Sequence, residues 1–357
     1  MSDPVYDTFM GHGPKQIVHW EHWSDPDAET DLTGIDYYRH PRLCRLKMKE
    51  LYPQLRLGVP EMDDPKVRPE EQADKSKGRW GDSHRDHWQQ ANAMRRFKSR
   101  EEMLAFSPLA QADFTGWKVV EDADYSSEEI IYQRYRKQFP AEWGDKAPEG
   151  SSAGTSFYNT LFMWPMLTFG YEHFLELCLE PEFDRIMDEF AEINRRVFRA
   201  FARLPVNFVT CHDDIVLTSG PVCSPAWMRR HIFPRYEEFW DILRKAGKEV
   251  IFMVDGRVDA FVDDVMACGA RGIISEPFTD YKAIARKYEN CFIAGEGDNR
   301  VLTRNNPAEI RAMVESMAET GRMSAGYMMC IGNHIPYNVP GDAVKRYLDL
   351  SAELARR

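Results

Sequence analysis

The sequence predicts an α/β fold, a (β/α)8 TIM barrel with an N-terminal extension and a loop-rich insertion. Two observations carry this. From residue 208 to 340 one unit recurs: a short apolar run, one or two polar residues, then an amphipathic helical stretch. The runs are Phe208-Val-Thr-Cys-His-Asp-Asp214, then residues 250–256, 272–277, 291–298 and 327–334. Short apolar runs bounded by Gly or Pro suit parallel strands buried on both faces, and the helical patterns between them suit βα units. Each run also closes on a polar residue, and the C-terminal strand ends of a parallel barrel build its active site. His212, Asp213, Asp255, Glu276, Asp298, Asn333 and His334 are therefore expected on one rim.

Along the chain, Gln16-Ile-Val-His-Trp20 reads as the first strand, ending in Glu21, His22 and Trp23. Residues 37–52 look helical, with Leu43, Leu46 and Leu51 on one side. Residues 53–86 are rich in Pro and charge and read as a surface excursion, ordered by Trp80 and Trp88. Ser99-Arg-Glu-Glu102 has the capping-box pattern and opens a helix to Phe106. Ser126-Ser-Glu-Glu129 opens another to Phe139. Residues 141–156 read as a loop, and Thr160-Leu-Phe-Met-Trp164-Pro165 as a strand ending in a bulky mouth residue. Helices are expected over 171–178, 181–204, 224–245, 257–268, 307–320 and 341–356, with Gly269 and Gly321 as stops.

All 357 residues read as a single domain, with about 53–155 as insertion and irregular segments over the barrel mouth. A net charge of −11 argues against nucleic acid or anionic membrane as partner. No apolar stretch approaches the length needed to span a membrane. The start, Met1-Ser-Asp-Pro-Val-Tyr6, has neither the charged beginning nor the apolar core of a secretory signal. Seven scattered cysteines without a Cys-x-x-Cys pair indicate reduced thiols and a cytoplasmic setting.

Each candidate has a structural alternative. Asp255 before Gly256 is a strand-end acid beside a residue that permits close backbone approach. Its alternative is an N-cap for the next helix. His212-Asp213-Asp214 can supply an acid or base, or one Asp can cap a loop. Trp20-Glu21-His22-Trp23 can wall a substrate pocket or simply pack. Glu276-Pro277 can be catalytic or a rigid turn, and Asp298 can act on substrate or cap a helix. His84-Arg-Asp-His87 reads as a surface loop: Asp82-Ser-His84 starts a corrinoid-binding pattern, but His87 stands where that pattern needs glycine.

His212-Asp-Asp214 with Ser224-Pro225, Val254-Asp-Gly256, Glu276-Pro277, Gly295-Glu-Gly-Asp298 with Val301-Leu302, and Gly332-Asn-His-Ile-Pro336 together resemble the uroporphyrinogen decarboxylase superfamily. The resemblance covers roughly 155–355, and more loosely 20–52. It implies a (β/α)8 barrel and either decarboxylation or methyl transfer in corrinoid-dependent systems. The true decarboxylase binds its substrate's carboxylates through an Arg-Gln-Ala-Gly-Arg segment, and the corresponding Trp20-Glu-His-Trp-Ser24 has no arginine. The thiol-methylating members hold zinc through a His-x-Cys pair and a later Cys, where this chain has Met253, Asp255 and Asn333. A different ligand set, His212, Asp255 and His334, is the candidate for a metal such as zinc.

The resemblance therefore implies a methyltransferase that demethylates a small O- or N-methylated compound, with the corrinoid (cobalamin) on a separate partner protein. Asp255, Asp213, His334, His212 and Glu276 are the catalytic candidates. Trp20, Glu21, His22, Trp164, Asn333 and Asp298 are the substrate-binding candidates. Two alternatives stay open: a decarboxylase or other lyase of a small acid, and a barrel that binds a ligand or partner without chemistry.

Overall fold

The computed structural model describes residues 3–23, 25–66, 68, 96–117, 119, 122–158 and 160–356. Trp80, Trp88 and the segment from Asp82 to His87 lie outside them. The strands are β1 (Val18–Trp20), β2 (Leu55–Arg56), β3 (Gly154–Phe157), β4 (Phe208–His212), β5 (Val216–Leu217), β6 (Gly220–Pro221), β7 (Glu249–Met253), β8 (Gly272–Ile274), β9 (Phe292–Ala294) and β10 (Gly326–Met329). Eight of them run parallel and alternate with helices, an α/β, TIM-barrel-like fold. The chain divides into two compact units, one drawn from 1–6 and 86–274, the other from 7–85 and 275–357.

In the first unit β3 pairs with β4, β4 with β7 and β7 with β8, all parallel. The helix Phe183–Ala202 covers them with a stripe of Phe183, Ile186, Phe190, Val197 and Phe201, all buried at three- and four-residue spacing. Each such side chain contributes about 1.5–3 kcal/mol when fully buried. Phe198 of this helix stacks on Phe239 of the helix Phe233–Lys245, with centroids 5.3 Å apart. The long helix expected over 224–245 is in fact two, Pro225–His231 and Phe233–Lys245, because Pro234 fits only a first turn.

One strand lies elsewhere than expected. Residues 160–165 form a turn and the start of the helix Met163–Phe169, and the strand is the preceding Gly154–Phe157, in the stretch read as loop. Pro165 sits in the first turn of that helix, where its missing N–H costs no hydrogen bond. Trp164 is consequently not a mouth residue. This candidate substrate-binding residue is fully buried among Phe114, Tyr125, Phe157 and Phe190.

In the second unit the parallel order is β2, β1, β10, β9. β2 lies within the stretch read as a surface excursion. The helix Pro41–Leu51 packs through Cys44 and Met48, while Leu43, Leu46 and Leu51 are exposed. Gly321 does not end its helix, which continues to Met323. A Cβ at Gly321 would stand 2.3 Å from Ile17 Cδ1, so the glycine serves close helix-to-strand packing. Among the described residues no helix is long and apolar enough to cross a membrane.

Candidate functional site

Strand alternation builds the first unit's site. Side chains two apart share a face, so His212 at the end of β4 and Asp214 just beyond it point the same way, and Asp213 points oppositely. His212 Nε2 and Asp214 Oδ1 are 3.0 Å apart. β4 and β7 pair in register, His212 opposite Met253, which sets Asp255 beside them. The Asp255 N–H donates to Asp214 Oδ1 at 2.8 Å. One ligand atom each from His212, Asp214 and Asp255 lie within 4.8 Å of one another. His212 and Asp214 are buried and Asp255 half-buried, and the Tyr158 ring lies 4.1 Å from the imidazole, centroid to centroid.

Asp255 is held in place by its C-terminal neighbours. Gly256 has φ +102°, and a Cβ there would stand 2.7 Å from the Leu217 carbonyl carbon. The close approach that this glycine allows is to the β5–β6 hairpin, whose Leu217 carbonyl also accepts from Arg257 N at 3.0 Å. Asp255 caps no helix, since the first turn after it starts at Asp259 and the α-helix at Val262. Burial acts to lower the His212 pKa, but Asp214 above all, then Asp255 and Asp213, outweigh it and hold the imidazole above its ordinary value.

Asp213 has a different task. Its fully buried carboxylate accepts from Phe162 N, Met163 N and Tyr236 Oη, each at 2.6 Å. It anchors the start of the helix Met163–Phe169, where a negative charge is favoured. Burial pushes its pKa well up, against those three hydrogen bonds. Asp213, a catalytic candidate from the sequence, is thus placed on the face of the strand end opposite His212 and Asp214, bonded to the start of that helix.

In the second unit Glu21 is buried and accepts from His19 Nε2 at 2.7 Å, Tyr347 Oη at 2.5 Å and Ile331 N at 3.1 Å. It ties the end of β1 to the segment after β10 and to the helix Gly341–Leu354. Trp20 and His22 are exposed, with ring centroids 6.3 Å apart, and His22 is 5.9 Å from His334. His334 Nδ1 and Asn333 Oδ1 are 2.6 Å apart, and Asn333 takes a left-handed φ of +64°. Gly332 before it packs so closely that a Cβ would stand 2.6 Å from Gly295 O. Glu276 is half-buried and lies in the field of Arg300. Asp298 caps the helix Asn299–Arg304 and chelates Arg300. Partial burial opposes ionisation, but those hydrogen bonds hold its pKa below the ordinary value.

Of the sequence-derived candidates, His212 and Asp255 come together in the first unit, and Trp20, His22, Asn333 and His334 group in the second. Sequence reasoning names Asp214 only within the His212-Asp213-Asp214 group, and it does not single out Tyr158 beside His212 or Tyr236 and Tyr347, which donate to buried carboxylates. For Asp214 a signal exists, since a two-residue period groups it with His212. The zinc set of the thiol-methylating relatives does not fit here. Met253 and Asn333 offer a thioether and an amide where zinc needs thiolate, imidazole or carboxylate, and the Asn333 amide is engaged with His334.

No curated protein matches the chain. A solved methyltransferase from Methanosarcina mazei superposes with a TM-score of 0.55, over 98% of this chain and 97% of that one, at 14% identity. That likeness concerns the fold. The family model described as uroporphyrinogen decarboxylase (URO-D) matches residues 143–354, more than half the chain, and spans both the His212 group and the Asn333–His334 turn. On that match the chain belongs to the uroporphyrinogen decarboxylase family.

Proposed function

We propose that this chain is a methyltransferase of a corrinoid-dependent system, moving a methyl group from a small O- or N-methylated compound to a separate corrinoid protein. The family match and the likeness to a methanogen methyltransferase support the reading. The observation that carries it is the compact group of His212, Asp214 and Asp255 at the ends of two adjacent strands. When the methyl–heteroatom bond breaks, its electron pair stays on oxygen or nitrogen. That atom leaves poorly until positive charge offsets the pair.

When bound, a corrinoid on the partner supplies the low-valent cobalt nucleophile that accepts the methyl group. Asp82-Ser-His84 lacks the glycine that the corrinoid motif requires, which favours placing the cofactor on a separate protein. This chain's part is to hold the leaving group beside a centre that can carry positive charge. Asp214 engages His212 through Nε2, which orients the ring and leaves Nδ1 as the nitrogen able to carry a further proton. The hairpin clamp on Gly256 keeps Asp255 in place. The segment 20–24, with one buried acid and no arginine, favours a small substrate over a polycarboxylate. Seven free cysteines suit a reducing, cytoplasmic setting.

The test mixes the protein with cob(I)alamin and a panel of methyl ethers and methylamines, and follows the visible spectrum. Protein-dependent methylcobalamin formation with at least one donor is the expected result. No product across the panel, together with CO2 release from small carboxylic acids, overturns the proposal in favour of a lyase.

A further inference from the structure

We infer that Cys178 and Cys223 are a peroxide-oxidised dithiol, a modification site that closes one internal disulfide. The disulfide stands on the two thiols alone, and its effect on turnover rests on the methyl-transfer reading above. Three points carry the site. Five of the seven cysteines are buried, and the two half-buried ones are Cys178 and Cys223. Those same two meet, with their thiols hydrogen-bonded to each other. The elements that carry them are packed together as well. Cys178 ends the helix Tyr171–Leu177, and Cys223 stands before Ser224, the N-cap of the helix Pro225–His231. Phe174 of the first helix and Trp227 of the second have ring centroids 6.4 Å apart, and both rings meet Phe162. Leu179 beside Cys178 is exposed, so this edge of the unit is open to a small oxidant.

The two thiols differ in role. The hydrogen bond from Cys178 lowers the Cys223 pKa, against the burial that raises it. The same bond, with burial, raises that of Cys178. The thiolate is the reactive form, so Cys223 is the nucleophile and Cys178 the resolving thiol. The Cys223 sulfur attacks one oxygen of hydrogen peroxide. The O–O bond breaks, a sulfenic acid forms, and the departing hydroxide takes the Cys223 proton to become water. The Cys178 sulfur then attacks the sulfenic sulfur. The S–S bond forms, the S–O bond breaks, and the oxygen leaves with the Cys178 proton as a second water. Two thiols are oxidised, one peroxide is reduced, and a thiol reductant reverses the step.

Cys223 follows directly on the hairpin of β5 and β6. The Val222 N–H donates to the Ile215 carbonyl at 3.1 Å, and Leu217 abuts Gly256 with no room for a Cβ. Disulfide sulfurs stand about 2.05 Å apart, closer than two thiols in hydrogen-bond contact. Closing the bond therefore draws Cys223 toward the helix Tyr171–Leu177 and pulls on the hairpin that positions Asp255. Oxidised protein should transfer methyl groups about tenfold more slowly, or less.

Reduced full-length protein is treated with stoichiometric hydrogen peroxide, quenched, alkylated in denaturant and mapped by mass spectrometry. The Cys178 peptide is expected joined to the Cys223 peptide, at a mass lower by two hydrogens, with the buried thiols alkylated. In Cys178→Ser the sulfenic acid should persist at Cys223 and be trapped by dimedone. In Cys223→Ser, Cys178 should stay unlabelled. The wild-type map does not depend on how the variants fold. Absence of the linkage, a linkage to another cysteine, or dimedone on Cys178 overturns the site. Linkage with undiminished methyl transfer overturns the effect on the hairpin alone. Linkage with no methyl transfer in either redox form sinks only the methyl-transfer reading.

Discussion

The Tyr236 hydroxyl donates to Asp213 at 2.6 Å, and the same carboxylate holds the first amides of the helix Met163–Phe169, some fifty residues earlier in the chain. A buried acceptor thus organises the unit that carries His212 and Asp255. Tyr236→Phe keeps the ring that stacks on Trp240 and removes one donor. It should lower stability by about 1–3 kcal/mol in urea denaturation. Asp213→Ala, which leaves buried amides without an acceptor, should cost more than Tyr236→Phe. Equal midpoints for all three proteins would contradict the anchoring role.

Asp25 makes stability depend on pH. Burial pushes its carboxyl up to about 7 from an ordinary 3.8, against the Ala28 N–H hydrogen bond, which favours the charged form. A group whose folded pKa is raised contributes fully below its unfolded pKa, and the contribution fades as pH rises through the folded value. Between pH 4 and 8 the wild type should lose on the order of 2 kcal/mol relative to Asp25→Asn, which can still cap the helix Pro26–Thr33. Denaturation midpoints at both pH values measure this, and parallel pH profiles would refute it.

Gly256→Ala adds a methyl 2.7 Å from the Leu217 backbone at a φ of +102°. A loss of roughly 2 kcal/mol or more is expected from the backbone conformation and the overlap together. Because the hairpin positions Asp255, methyl transfer should fall further than the loss of folded protein explains. Rates normalised to folded protein by circular dichroism decide the point.

In the second unit, Tyr347→Phe and Glu21→Gln disturb a buried hub and should each cost about 1–3 kcal/mol. Trp20→Ala, at an exposed position, should stay within about 0.5–1 kcal/mol of wild type. Thermal unfolding of the three variants checks the ordering.

Most of the strand framework is readable in the sequence because β4, β7, β8, β9 and β10 are apolar runs closed by polar residues, and burial imposes that pattern directly. β3 is not readable. Gly-Thr-Ser-Phe157 buries only its last residue and gains its extended form from pairing with β4. The nearby Thr160–Trp164 run looks more strand-like, yet its helical start depends on the distant Asp213 carboxylate. In the helix Pro41–Leu51 the leucines at 43, 46 and 51 are exposed and the buried face is carried by Cys44 and Met48, so leucine positions alone do not mark the packed side. At the site, residue types point to His212 and Asp255. Choosing Asp214 over Asp213 requires extending the two-residue alternation past the end of the strand.

The most direct measurement is single-turnover methyl transfer from a methyl ether to cob(I)alamin by wild type and Asp255→Asn. The account predicts a fall of more than about a hundredfold in the variant's rate constant, corresponding to about 2.7 kcal/mol of lost transition-state stabilisation. Equal rate constants in the two proteins would contradict it.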